Sequence, residues 1–93
     1  MRETRKVVEA AVGSRGRIRI LGVLLENRGE YVTRYALERD TGLKHKTVQS
    51  HLDRLMRLGW VERTSYEPRK YRVRTENRLV TEFEMFLKKV GYL

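Results

Sequence analysis

The sequence predicts a mainly α chain with one small β-hairpin, an α+β domain, and three observations predict it. Apolar residues recur at helical spacing in successive segments that stop at glycines, notably Gly13, Gly42 and Gly59. Beyond Gly59 the period changes to strict alternation, then returns to helical spacing near the C-terminus. Finally, 93 residues suffice for one core and not two, since a domain of this size buries roughly two-thirds of its unfolded surface.

Taken in order, Thr4 to Val12 has the residues of a short helix broken by Gly13. Ser14 can cap a second helix in which Ile18, Leu21, Leu24 and Leu25 form one apolar face. Ile20 and Val23 fall on its other side, and a helix apolar on two faces needs cover on both, which favours a partner subunit. Asn27 to Glu30 reads as a turn and Tyr31-Val32 as a short extended bridge. Thr33 caps a helix ending at Thr41. A turn containing Gly42 then leads into a helix from Lys44 to Leu58, lined inwardly by Val48, Leu52 and Leu55. Two helices joined by so short a turn make a helix-turn-helix pattern.

The alternating stretch reads as a hairpin: Trp60 to Thr64, a turn at Tyr66-Glu67-Pro68, then Lys70 to Arg74. Tyr71 and Val73 face the core, while Lys70, Arg72 and Arg74 face outward. Thr75 is the expected cap of the last helix, whose Leu79, Val80, Phe83, Phe86, Leu87 and Val90 make an apolar stripe.

The chain carries 21 basic and 12 acidic residues, a formal net charge of +9, and the surplus is uneven. Residues 44–74 hold nine basic against three acidic, residues 1–20 six against two, and the rest is nearly balanced. These charges interleave with spaced apolar residues, so the basic surface belongs to a folded element rather than a charged tail. A polyanion is the natural partner. With no cysteine, thiolate metal sites and disulfides are excluded. No apolar run approaches the roughly 20 residues of a spanning helix, and the expected setting is cytoplasmic.

The segment TGLKHKTVQSHLDRLMRLGWVER resembles the winged helix-turn-helix of bacterial and archaeal regulators of the arsenical-resistance-repressor and multiple-antibiotic-resistance-repressor kind. Thr41, Gly42, Leu43, Thr47, Val48, His51, Leu52, Leu55, Gly59, Trp60 and Val61 stand at the positions of the family pattern. The resemblance covers roughly residues 14 to 85 and implies a winged helix-turn-helix with additional N- and C-terminal helices. It departs from the pattern in lacking the cysteine ligands of metal-sensing members, and in having Lys44 where many relatives cap the recognition helix with Ser or Thr. A cation at the positive end of a helix is mildly unfavourable, a cost that a nearby phosphate would offset.

The N-terminal part of a recognition helix enters the major groove. The candidate DNA contacts there are Lys44, His45, Lys46, Thr47, Gln49, Ser50 and Arg54. Gln49 and Lys46 have the chemistry to read bases, because Gln pairs with the N6/N7 edge of adenine and Lys donates to guanine O6/N7; Arg54 suits phosphate. On the hairpin, Arg63, Arg69, Lys70, Arg72 and Arg74 are the candidate wing contacts. Arg69 and Lys70 suit either plain phosphate contact or insertion into a narrow minor groove. His45 and His51 lack companions at metal-ligand spacing, Asp53 and Glu62 read as surface charges, and no catalytic constellation is present.

The chain therefore reads as one domain over residues 1–93, with the winged-helix core at 14–75 and residues 76–93 as a dimerisation helix. Ile20, Val23, Leu79, Phe83, Phe86, Leu87 and Val90 are the expected dimer interface, although the C-terminal stripe could also pack on its own domain. The expected partners are double-stranded DNA and a second copy of the chain, with no membrane, cofactor or metal. The function expected is a dimeric, sequence-specific repressor. The same surface would also serve an architectural DNA binder or a protein-interaction module.

Overall fold

The computed structural model describes residues 14–93; the helix expected at Thr4 to Val12 lies outside the described residues. Four helices and a three-stranded antiparallel sheet follow in the order α1 (Arg15–Glu26), β1 (Val32–Thr33), α2 (Arg34–Thr41), α3 (His45–Arg57), β2 (Val61–Arg63), β3 (Lys70–Val73) and α4 (Arg78–Lys89). The sheet order is β1-β3-β2, so the bridge at Val32 is a true edge strand, paired with Tyr71 of the hairpin.

Local chemistry sets most boundaries. The Ser14 hydroxyl accepts from the Arg17 amide at 3.3 Å, and Thr33 accepts from Ala36 at 3.1 Å, each satisfying an amide that its helix leaves open. The last helix departs from expectation, since Asn77 rather than Thr75 caps it. The Asn77 carboxamide oxygen accepts from Leu79 at 2.9 Å, and its nitrogen donates to the Gly59 carbonyl at 2.9 Å. A hydroxyl at position 75 stands too far before α4 to compete.

Both α3 and α4 end in the same left-handed glycine closure. At Gly59 (φ 79°) the Trp60 amide reaches back to Leu55, and at Gly91 (φ 83°) the Tyr92 amide reaches back to Leu87. The first closure launches the wing. The second folds the C-terminus back, so that Tyr92 is buried and its ring lies 3.2 Å from where a side chain at Gly22 of α1 would begin.

That return corrects the reading of α1. Ile20 is wholly buried, as are Ile18 and Leu24, because α2 and α3 cover one face and the C-terminal residues reach the other at Gly22. No second subunit is needed to cover it. In α4, Val80, Glu84 and Leu87 face inward; Leu87 is wholly buried, so it and Ile20 belong to the chain's own core rather than to an outer face. Glu84 is held there by Arg28 at 3.1 Å and Lys88 at 3.6 Å, giving its buried carboxylate the partners it requires. The other side of α4 stays open. Leu79, Met85 and Phe86 are exposed, while Phe83 lies between the Trp60 and Phe86 rings at 5.7 and 6.4 Å.

Candidate nucleic-acid interface

Helix α3 is fixed from below by Val48, Leu52 and Leu55, all within 1% of complete burial. Their spacing leaves Lys44, His45, Lys46, Thr47, Ser50 and Arg54 exposed, with Gln49 half-buried. Lys44 occupies the N-cap and makes no side-chain capping bond, since an ammonium has no acceptor to offer the open amides. Among the described residues, Lys44, Lys46, Arg54 and Arg57 have no ion pair. His45 does have one acidic neighbour, Glu38 of α2, at 3.6 Å.

The wing presents its charge differently. In the hairpin register Glu62 stands opposite Arg72, and the Glu62 carboxylate takes Arg72 at 2.7 Å, Arg74 at 3.1 Å and the Tyr31 hydroxyl at 3.2 Å. The Arg72 guanidinium also lies 4.5 Å from the Tyr31 ring centroid. The hydrogen bond from Arg72 above all, opposed by burial and helped by Arg74, the Arg72 charge and Tyr31, holds the Glu62 carboxyl below the usual glutamate range. Glu62 is thus the centre of a cluster rather than an idle surface charge. At the tip, Arg69 pairs with Glu67 at 3.2 Å, both well exposed, and the Glu67–Pro68 bond is cis. Arg63 is exposed and Lys70 half-buried, and neither has an ion pair among the described residues.

These parts converge unevenly. One shallow depression on α3 is lined by His45, Lys46, Gln49, Ser50, Asp53 and Arg57. A second, of about 480 Å³, runs from Thr33, Arg34 and Tyr35 past Gln49 to Pro68 and Arg69 at the wing tip. A third joins Gln49, Asp53 and Arg57 to Arg63 and Arg69. Gln49 lies where all three meet, so α3 and the wing tip form one continuous surface. Arg54 and Thr47 stand outside these depressions, and Arg72 and Arg74 sit lower, at the wing base.

Arg34, not anticipated from the sequence, and Asp53, expected as a plain surface charge, both hold Gln49. Arg34 donates to the Gln49 amide oxygen at 3.0 Å, and Asp53 accepts from its nitrogen at 2.8 Å. Asp53 could have been suspected, being one helical turn from Gln49, whereas the Arg34 contact crosses from another helix and has no local signal. His51 is half-buried against α1, and a side chain at Gly16 would meet its ring at 2.8 Å. Burial first, and then the Arg17 charge, push the His51 imidazole below its ordinary range. Among the described residues no group of His, Cys, Asp or Glu could hold a metal, and no helix is long and apolar enough to cross a membrane.

Comparison with known proteins places this geometry. A family model described as the MarR family matches residues 14–70, from the start of α1 into β3. The fold is similar to a MarR family transcriptional regulator from Silicibacter pomeroyi, with a TM-score of 0.72 and 17% identity over 97% of this chain and 68% of that one. It is also similar to a predicted DNA-binding transcriptional regulator from E. coli, with a TM-score of 0.66 and 26% identity over 95% of this chain and 90% of that one. No curated protein sequence matches.

Proposed function

The chain belongs to the MarR family of winged-helix transcriptional regulators, and we propose on that footing that it binds double-stranded DNA sequence-specifically, as a dimeric repressor that occludes promoters. One observation carries the reading: α3 projects Lys44, Lys46, Thr47 and Ser50 from a rigid apolar base, with the lysines unneutralised among the described residues. A helix so exposed fits a major groove about 12 Å wide, and unpaired ammonium groups release counterions when they meet phosphate. The wing tip, continuous with it through Gln49 and Arg69, would follow the adjoining backbone.

The dimer uses the open side of α4. Leu79 and Phe86 are exposed there on a stripe completed by the half-buried Phe83 and Val90, and Met85 is exposed further round the helix. Val23 of α1 is half-buried and contributes at most an edge. A twofold pair would set two recognition helices about one DNA turn apart and select an inverted repeat.

Selection from a random duplex library at about 150 mM salt tests this. An inverted repeat bound about 10³-fold or more tighter than a scrambled duplex supports a specific dimeric regulator. Tight binding without enrichment would make the chain an architectural protein, and absence of duplex binding would refute the proposal altogether.

A further inference from the structure

We propose that Arg34 and Asp53 are positioning residues that determine base specificity: they lock the orientation of the Gln49 side-chain amide and so fix the order of donor and acceptor it offers a base edge. The inference rests on α3 being the helix that enters the major groove.

A glutamine amide is nearly symmetric in shape and opposite in chemistry at its two ends, the oxygen accepting and the nitrogen donating. On an open surface it turns over freely and offers either order. Gln49, the one glutamine of the chain, is held at both ends. Its oxygen accepts from the Arg34 guanidinium at 3.0 Å, and its nitrogen donates to the Asp53 carboxylate at 2.8 Å. Arginine has only donors and a carboxylate only acceptors, so turning the amide over would set donor against donor and acceptor against acceptor. Two charge-assisted bonds would become two repulsive contacts, which leaves one orientation populated.

The clamp is itself braced. Arg34 opens α2 directly after Thr33 of the edge strand, and its Nε lies 3.4 Å from Glu38 one turn further on. Asp53 stands one turn along α3 from Gln49 and is half-buried. Each partner uses one hydrogen-bonding position of the amide, leaving one N–H and one oxygen lone pair unused. An adenine edge offers an acceptor at N7 and a donor at N6, which complete such a pair. Guanine offers acceptors at both N7 and O6, leaving the amide oxygen without a donor.

The test compares the wild-type chain with Gln49→Ala, Arg34→Met and Asp53→Asn by site selection in a random duplex library, and by NMR of the Gln49 side-chain NH2 pair in the free protein. The wild type should show one half-site position where adenine is preferred roughly tenfold, abolished by Gln49→Ala. Arg34→Met and Asp53→Asn should reduce that preference to about threefold or less. Preferences elsewhere should stay unchanged, and Asp53→Asn should bind random duplex no more weakly than wild type, having lost a negative charge. In both variants the NH2 pair should move toward the shifts of a free glutamine. Preference and NH2 shifts that survive both substitutions would overturn the clamp. If Gln49→Ala alters no position although the wild type binds selectively, the amide does not read DNA and the inference fails while the proposed function stands. A wild type that binds no duplex would overturn the function itself.

Discussion

Helix α3 and the wing carry the same net charge and hold it in opposite ways. From residue 44 to 58 four basic side chains stand against Asp53, and from 61 to 74 five stand against Glu62 and Glu67, so each nets +3. On α3 the cations have no ion pair among the described residues, and the one acid is engaged by an amide. On the wing, Arg72 and Arg74 share Glu62, and Arg69 has Glu67. An exposed pair contributes about 0–1 kcal/mol, too little to bind an arginine permanently, yet its carboxylate still cancels part of the field a phosphate would feel. The difference teaches that net charge alone does not rank two basic surfaces. On the proposed function, the helix would meet DNA at full charge, while the wing base is organised internally around Glu62.

The largest effect expected concerns what both regions share. Leu52 of α3 and Tyr71 of the wing lie in one buried cluster, so Leu52→Ala should cost about 2–5 kcal/mol in stability and weaken both surfaces together. Denaturant unfolding followed at Trp60 and by circular dichroism would check it; a wing signal that melts separately would break the comparison by making the two regions independent. Next in size, Gln49→Ala should cost roughly 1–3 kcal/mol on the preferred site and little on random duplex, read by titration of both at one salt concentration. Arg72→Ala should instead weaken all sequences similarly. The salt slope sharpens the contrast: Lys44→Ala should lower it by about one, and Arg72→Ala by clearly less, because Glu62 already neutralises that charge. Equal slopes for the two variants would show that the Glu62 pairing opens fully on DNA.

Much of this fold was legible because its boundaries are local. Thr33, Gly42 and Gly59 stand where capping and left-handed turns require them, and Tyr71 and Val73 alternate as a half-buried strand must. What escaped depends on contacts between distant segments. Ile20 is wholly buried on a helix that α2, α3 and β3 pack against, so an apolarity pattern that suggested a second subunit was satisfied within the chain. The α4 stripe looked continuous in sequence, whereas the fold divides it between an inward Val80 and Leu87 and an outward Leu79 and Phe86. For the interface, exposure of the α3 residues follows from helical period, but the coupling of Arg34 to Gln49 arises from how α2 packs on α3. Glu62 is an intermediate case, since its cross-strand position opposite Arg72 follows once the hairpin register is known.

The smallest effects separate the two regions by pH. Glu62 has its carboxyl lowered by Arg72, so relative to the unfolded chain it favours the folded state at neutral pH. That contribution is full above the ordinary glutamate range and is lost as pH falls through the lower folded value. His51, on the side of α3 turned toward α1, behaves differently. Burial and Arg17 lower its imidazole, so as pH falls through the ordinary histidine range the unfolded chain takes up a proton that the folded chain refuses. Stability therefore declines in that window and levels off below the folded value. Thermal melts from pH 8 to 3 should show two descents, the upper flattened by His51→Gln and the lower by Glu62→Gln, each substitution leaving the other descent in place. If both variants melt in parallel with wild type throughout, the half-buried histidine of α3 and the arginine-bound carboxylate of the wing contribute nothing to holding their regions.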